Sequence, residues 1–317
     1  MFTAKHQESH RRKAIYKHPA ARAALQRVNE WWTGVFYGNV PEIDRCGHGF
    51  VHHRNEMEND DWGNSHLDRA SLFHFCQWVV TAGLWHNTGL GLLRDFHSSA
   101  CYGLLQQTAI GMACYYSCAV AVLALAGPRL FVLLFAWPFV ANVGFASVVN
   151  WGWHIFADPA EPANYAASTI TVMDWAGDVF NEGLHLTHHL RPAAHFSEVR
   201  QLYSAQRDFY IANSSLLLSH SDPLEIWAMA MLHRWGYFAE RLVDYSGQMT
   251  PQQKRAFVRF RTRPIGSKPA SQLEAAAVAA AAGAAAKAAA RLHLAKAAGQ
   301  HALRPRAAGR VSVTAAE

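Results

Sequence analysis

The sequence is short of charge. Only 16% of its 317 residues are Asp, Glu, Lys or Arg, and none falls between Phe96 and Pro128. Cysteine is scarce too: Cys46, Cys76, Cys101, Cys114 and Cys118 form an odd set with no CxxC pair, so neither a disulfide framework nor a thiolate zinc site is indicated. They read as small buried hydrophobes. No apolar run follows the polar, basic N-terminus, so a membrane-insertion signal is expected inside the chain. The net charge of +6 comes with no nucleic-acid motif, and the basic residues sit in terminal clusters, Arg11, Arg12 and Lys13, then Lys254, Arg255, Arg259, Arg261 and Arg263. Such flanks read as positive-inside signals beside a bilayer, and nucleic acid is not expected as a partner.

What the chain has in quantity is apolar residues, 51% of the total, with a mean hydropathy of only −0.06. They are therefore concentrated in some segments and diluted in others. The uncharged run before Pro128 contains "TAIGMACYYSCAVAVLALAG", and a second follows from Leu130 to Phe156. Each is about as long as a bilayer-spanning helix. Only Gly127, Pro128 and Arg129 separate them, so the expectation is a transmembrane hairpin, about 104–126 and 130–156, whose outer ends return to one membrane face. The uncharged stretch 70–93 carries His74, Gln77, His86 and Asn87 and reads as an interfacial helix. Elsewhere the apolar spacing is helical. The expected fold is all-α: an integral membrane domain over 1–250 with one hairpin and a histidine-rich polar cap. A basic, Ala-rich, low-complexity tail over 251–317 has little to bury.

Nineteen histidines are present, and nine form four groups. They are "HQESH" (His6, His10), "HGFVHH" (His48, His52, His53), "NWGWH" (Asn150, His154) and "HLTHH" (His185, His188, His189). Separations of three or four residues put imidazoles on one helix face. The hairpin brings groups before and after it to the same side, where neutral imidazoles suit two metal ions. "HQESH" is not the zincin motif HExxH, because Glu8 comes one place late. Glu182 with His185 is the single ExxH in these groups, too few for a carboxylate-bridged di-iron bundle. Haem between paired histidines would leave most of the grouped ones idle.

The order HxxxH, HxxxHH, NxxxH, HxxHH resembles the membrane fatty-acid desaturase and hydroxylase superfamily. The last group, "NEGLHLTHHLRP", is similar to the acyl-CoA desaturase form, and "NWGWH" is similar to that branch's additional Asn and His. The second group has the HxxxHH spacing of the alkane monooxygenase branch. The resemblance implies that His6, His10, His48, His52, His53, His154, His185, His188 and His189 hold two non-haem irons, with Asn150 holding a water on one. Glu56, Glu58, Asp60, Asp61 and Glu182 are candidates to orient imidazole N–H groups. It also implies O2 as co-substrate, a membrane lipid or acyl substrate, and desaturation, with hydroxylation or a truncated, non-catalytic metal-binding protein as alternatives.

No fused electron carrier is visible, so a separate donor of cytochrome b5 or ferredoxin type is implied, docking on the basic residues Arg255, Arg259 and Arg261. Trp151, Trp153, Phe156 and Trp175 are candidates for an acyl tunnel wall or for interface anchors. The histidines are expected on a cytosolic-type face of the endoplasmic reticulum, plastid or plasma membrane. The family carries a hairpin before its first histidine group, whereas five residues precede His6; the expectation is that helices come from upstream sequence or a partner, or that the chain is inactive.

Overall fold

The computed structural model describes residues 2–10, 15–53, 61–63, 66–161 and 164–297. It is mostly helical and divides into two compact units. Among the described residues one unit takes 2–63 and 77–147, and the other 66–76 and 148–297.

The first unit is organised by two long apolar helices. Tyr102–Ala126 is a single helix, and helical turns continue from Pro128, the last part as the helix Trp137–His154, whose residues from Val148 on are counted with the second unit. Gly127 (φ 84°) makes the reversal, and Pro128 opens the second helix where its missing N–H costs nothing. Tyr115 packs on Phe135, with ring centroids 5.4 Å apart, which fixes the two as an antiparallel hairpin. Their outward faces are bare: Leu125 is 89% exposed and Trp137 65%. Exposed apolar surface on that scale is stable in lipid and unfavourable in water. The inward faces bury Val40, Ile43, Cys46, Val51, Leu92 and Phe96. Cys46 and Val51 come from the segment Asp44–His52, which carries the second histidine group, and Leu92 and Phe96 from the helix Leu90–Ser98.

Among the described residues three helices are long and apolar enough to cross a membrane, the third being the C-terminal Gln272–Leu294 portion. The stretch 70–93 is shorter-ranged: Leu72–Trp78 and Leu84–Asn87 are joined by a wide π turn, and Gly89 (φ 88°) ends the run before Leu90–Ser98. Phe73 and Val80 on it are exposed.

The second unit contains the last two histidine groups. Among its described residues the elements are helices and a short parallel pair, β1 (Ile170–Met173) and β2 (Leu216–Ser219), with Ile170 opposite Leu216. Its apolar core holds Leu184, Leu186, Val199, Tyr203 and Tyr210. The Ala-rich segment was expected to bury little, and here the structure corrects the sequence reading. It forms the helix Gln272–Ala297 and packs along Arg207–Ala212 and Pro251–Arg261. Ala277, Ala284 and Ala288 lie on the buried stripe, at spacings a helix keeps on one face. Arg263–Glu274 (2.6 Å) and Arg291–Asp208 (2.6 Å) pin its two ends. Alanine is the best helix former and its small side chain allows close approach, so low complexity here encodes a packed helix.

The cysteines also depart from expectation. All five are free, but only Cys46 is buried; Cys114 and Cys118 sit on the outward face of Tyr102–Ala126.

Candidate metal centre

Each unit carries its own cluster of imidazoles. In the first, the helix Phe2–His10 places His6 and His10 one turn apart, with Nε2 atoms 3.3 Å from each other. His6, His10 and His48 offer ligand atoms within 4.8 Å of one another. Lys5 anchors the helix through Asp44 (3.2 Å) and Asn39 (2.7 Å). Glu8 accepts the backbone N–H groups of Asn29 (2.7 Å) and Glu30 (3.0 Å), so the acid inside "HQESH" is spent on docking the helix. Burial lowers His6 to a pKa of about 4, which keeps its ring neutral and its lone pair available at neutral pH.

The second histidine group lies on a π-helix, Asp44–His52. On such a wide turn residues five apart share a face, where an α-helix would align residues four apart. His48 accordingly pairs with His53, Nε2 to Nε2 at 3.0 Å. The ring of His52 is directed elsewhere, with Nδ1 3.0 and 3.1 Å from the two oxygens of buried Asp61. The extra residue in HxxxHH is thus absorbed by the helix geometry. Asp61 also accepts the N–H of Gly63 (2.8 Å), and a Cβ on Gly63 would overlap the His52 ring. Glu56, Glu58 and Asp60 lie outside the described residues.

In the second unit His154 ends the helix Trp137–His154, one turn after half-buried Asn150. Its Nδ1 donates to the Ser168 carbonyl (3.2 Å), and because a carbonyl only accepts, the proton is on Nδ1 and the lone pair on Nε2. The short helix His185–Leu190 aligns His185 and His189, with Nε2 atoms 3.1 Å apart. The ring centroid of His189 is 5.4 Å from that of His154, and the ligand atoms of these two lie within 4.8 Å. His188 is buried, 5.7 Å from the His185 ring. Trp153 stacks flat on His185 at 4.4 Å, and Tyr165 donates its hydroxyl to the His189 carbonyl (3.0 Å).

The loop before this helix is tightly determined. Asp174, Phe180 and Asn181 all have positive φ, a costly conformation for non-glycine residues. It is held by Asn181 donating to the Phe196 carbonyl (2.8 Å) and by Asp178 accepting the Gly183 N–H (3.1 Å). Gly183 lies against β1: Val172 donates to its carbonyl at 2.7 Å, and a Cβ would sit 2.7 Å from the Val172 oxygen. The glycine of "NEGLH" is required by that approach.

The donor sets fit a metal that accepts neutral imidazole. Facing Nε2 pairs at 3.0–3.3 Å are either a single shared proton or two lone pairs aimed at a cation. Outer nitrogens anchored to a carboxylate and a carbonyl are what orients metal-binding histidines.

Several other residues take places the sequence did not mark. Arg261, grouped above with the surface basic residues, is fully buried, as is Arg69; Arg255 and Arg259 remain exposed. Trp151 and Phe156 are buried packing residues: Trp151 lies edge-on to Phe75 at 5.4 Å and Phe156 to Phe238 at 5.0 Å. Among the ungrouped histidines, His86 stacks on Trp62 (5.1 Å) and meets Asp95 (3.2 Å), and His195 caps the helix Phe196–Ala205. These are packing and capping roles.

The family profile described as fatty acid desaturase matches residues 1–221. No curated protein and no solved structure matches the chain.

Proposed function

The chain belongs to the fatty acid desaturase family, and from that premise we propose that it desaturates a fatty-acyl chain or lipid at a di-iron centre. The reading rests above all on one observation: buried imidazoles whose outer nitrogens are already committed, at His52 to Asp61 and at His154 to Ser168. The nine ligands are His6, His10, His48, His52, His53, His154, His185, His188 and His189, with Asn150 holding a water. Bound there, two irons would supply the activation of O2 that no acid–base side chain can provide.

The chain's own residues orient and exclude. Asp61 and the Ser168 carbonyl set two imidazole tautomers, Trp153 holds the plane of His185, and burial keeps bulk water from the rings of His6, His52, His154, His185, His188 and His189. In the overall balance the acyl chain loses two hydrogens, an external donor supplies two electrons, the solvent supplies two protons, and O2 leaves as two waters. The hairpin and its exposed apolar faces anchor the protein in a membrane, with the histidines at one cytosolic-type face. The donor is a separate carrier of cytochrome b5 or ferredoxin type, and exposed Arg255 and Arg259 offer it a docking charge.

The HxxxHH spacing of the second group favours a second reading, hydroxylation of a lipid or alkyl chain. Mass spectrometry of the lipids after expression separates the two. Loss of two hydrogens supports desaturation; gain of one oxygen replaces it with hydroxylation.

A further inference from the structure

Two fully buried arginines flank the third histidine group. The Arg261 guanidinium donates from Nε to the Phe156 carbonyl (2.8 Å), from one terminal nitrogen to Ala167 (2.9 Å) and from the other to Ser214 (3.1 Å), and that last nitrogen is 3.3 Å from an Asp158 oxygen. Arg69 donates from Nε to the Ile155 carbonyl (3.0 Å) and from a terminal nitrogen to Ala157 (2.7 Å) and to the Arg261 carbonyl (2.8 Å). The backbone of Arg69 adds two further ties. Its N–H donates to Thr262 (2.7 Å), and its carbonyl accepts the indole N–H of Trp151 (2.9 Å), one turn before His154 on the same helix.

His154 is therefore bracketed. The residue three before it is tied to Arg69, the three residues after it give their carbonyls to the two guanidinium groups, and Ala167, next to the Ser168 that takes its Nδ1 proton, is tied to Arg261. Burying two like charges side by side is expensive. Burial and the neighbouring Arg261 charge pull Arg69 down to a pKa of about 9, and burial lowers Arg261 as well. A well-packed apolar pair would do as well or better for stability, so the arrangement calls for another explanation. Arginine's fixed fork of five donors can hold several carbonyls from separate segments in one geometry, which neither lysine nor an apolar residue can do.

We infer that Arg69 and Arg261 are positioning residues for His154, fixing its Nδ1–H on the Ser168 carbonyl so that Nε2 faces His189. The inference rests on the metal-centre reading above. It also gives residues past the family-matched segment, Arg261 and its helix Pro251–Arg261, a part in the centre.

The test is a double-mutant cycle read by metal binding, with Co2+ alone as the probe and the full chain in detergent. Co2+ affinity and its visible absorption are measured for wild type, R261Q, R69Q, H154A and H154A/R261Q. Ile211→Ala serves as a control that loosens the same unit elsewhere. The expected result is that R261Q and R69Q weaken one of two Co2+ equivalents by about ten- to a hundredfold and alter its absorption. R261Q should cause no further loss in the H154A background, and Ile211→Ala should leave both equivalents intact. If R261Q does not fold, R261K, which keeps the charge facing Asp158 but not the fork, takes its place in the cycle.

Wild type that binds Co2+ with R261Q and R69Q unaffected overturns the positioning role alone. So does an equal loss from R261Q with and without His154, or an equal loss in Ile211→Ala. Wild type that binds no Co2+ overturns the metal-centre reading and this inference with it.

Discussion

Asp61 offers the sharpest mutational test of how the first cluster is held. Its carboxylate is buried, sits 3.0 and 3.1 Å from His52 Nδ1, and accepts the Gly63 N–H at 2.8 Å. Asp61→Ala removes both bonds. Hydrogen bonds to a charged group contribute about 1.5–3 kcal/mol each, so the loss of two should be about 3–6 kcal/mol. Asp61→Asn keeps an acceptor of the same shape and gives up only the charge, a loss of about 1–2 kcal/mol. Metal affinity should follow the same order, falling roughly tenfold in Asn and toward a hundredfold in Ala. Thermal unfolding in detergent and chelator competition for bound iron read the two quantities. Asp61→Ala within about 1 kcal/mol of wild type, or Asn and Ala variants with equal metal affinity, would refute the orienting role.

Glu30 and the exposed arginines give two further predictions. Burial, then the Glu42 and Asp44 carboxylates, raise Glu30 to a pKa of about 8, well above its unfolded 4.5. The folded state therefore holds a proton that the unfolded state releases, and stability falls as pH rises from about 5 to 8. At pH 7 the cost is roughly 3 kcal/mol, so Glu30→Gln should unfold at higher temperature than wild type at pH 7 and at the same temperature near pH 4; parallel pH profiles would contradict this. For the donor, Arg255→Gln with Arg259→Gln should slow electron delivery several-fold at low salt and flatten its salt dependence without changing stability. Unchanged rates would exclude docking there. Arg261 is not part of that surface, since it is wholly buried.

The hairpin was legible because an uncharged run of bilayer length has few alternatives, and the glycine–proline break between the runs fixes its reversal. The histidine groups were legible from spacing alone. Which histidines pair was not: helical spacing pairs His48 with His52, while the π-helix pairs it with His53 and leaves His52 to Asp61. A π turn has no clear sequence signature, because it depends on how the segment packs. The two strands, four residues each, were too short and too uniformly apolar to tell from buried helix. Arg69 and Arg261 were missed for a different reason. Nothing in a sequence separates a buried arginine from a solvated one when its partners are backbone carbonyls far along the chain. The Ala-rich helix was misjudged because repetitive composition hides a stripe of small residues, Ala277, Ala284 and Ala288, that packs by closeness of approach.

The central claim is that nine histidines of this chain hold two irons. Iron per chain, measured by elemental analysis of the purified, iron-loaded protein, tests it most directly. The account predicts close to two irons in wild type and a clear loss when His188 or His189 is changed to Ala. Fewer than two irons in wild type, with no loss in either variant, would contradict it.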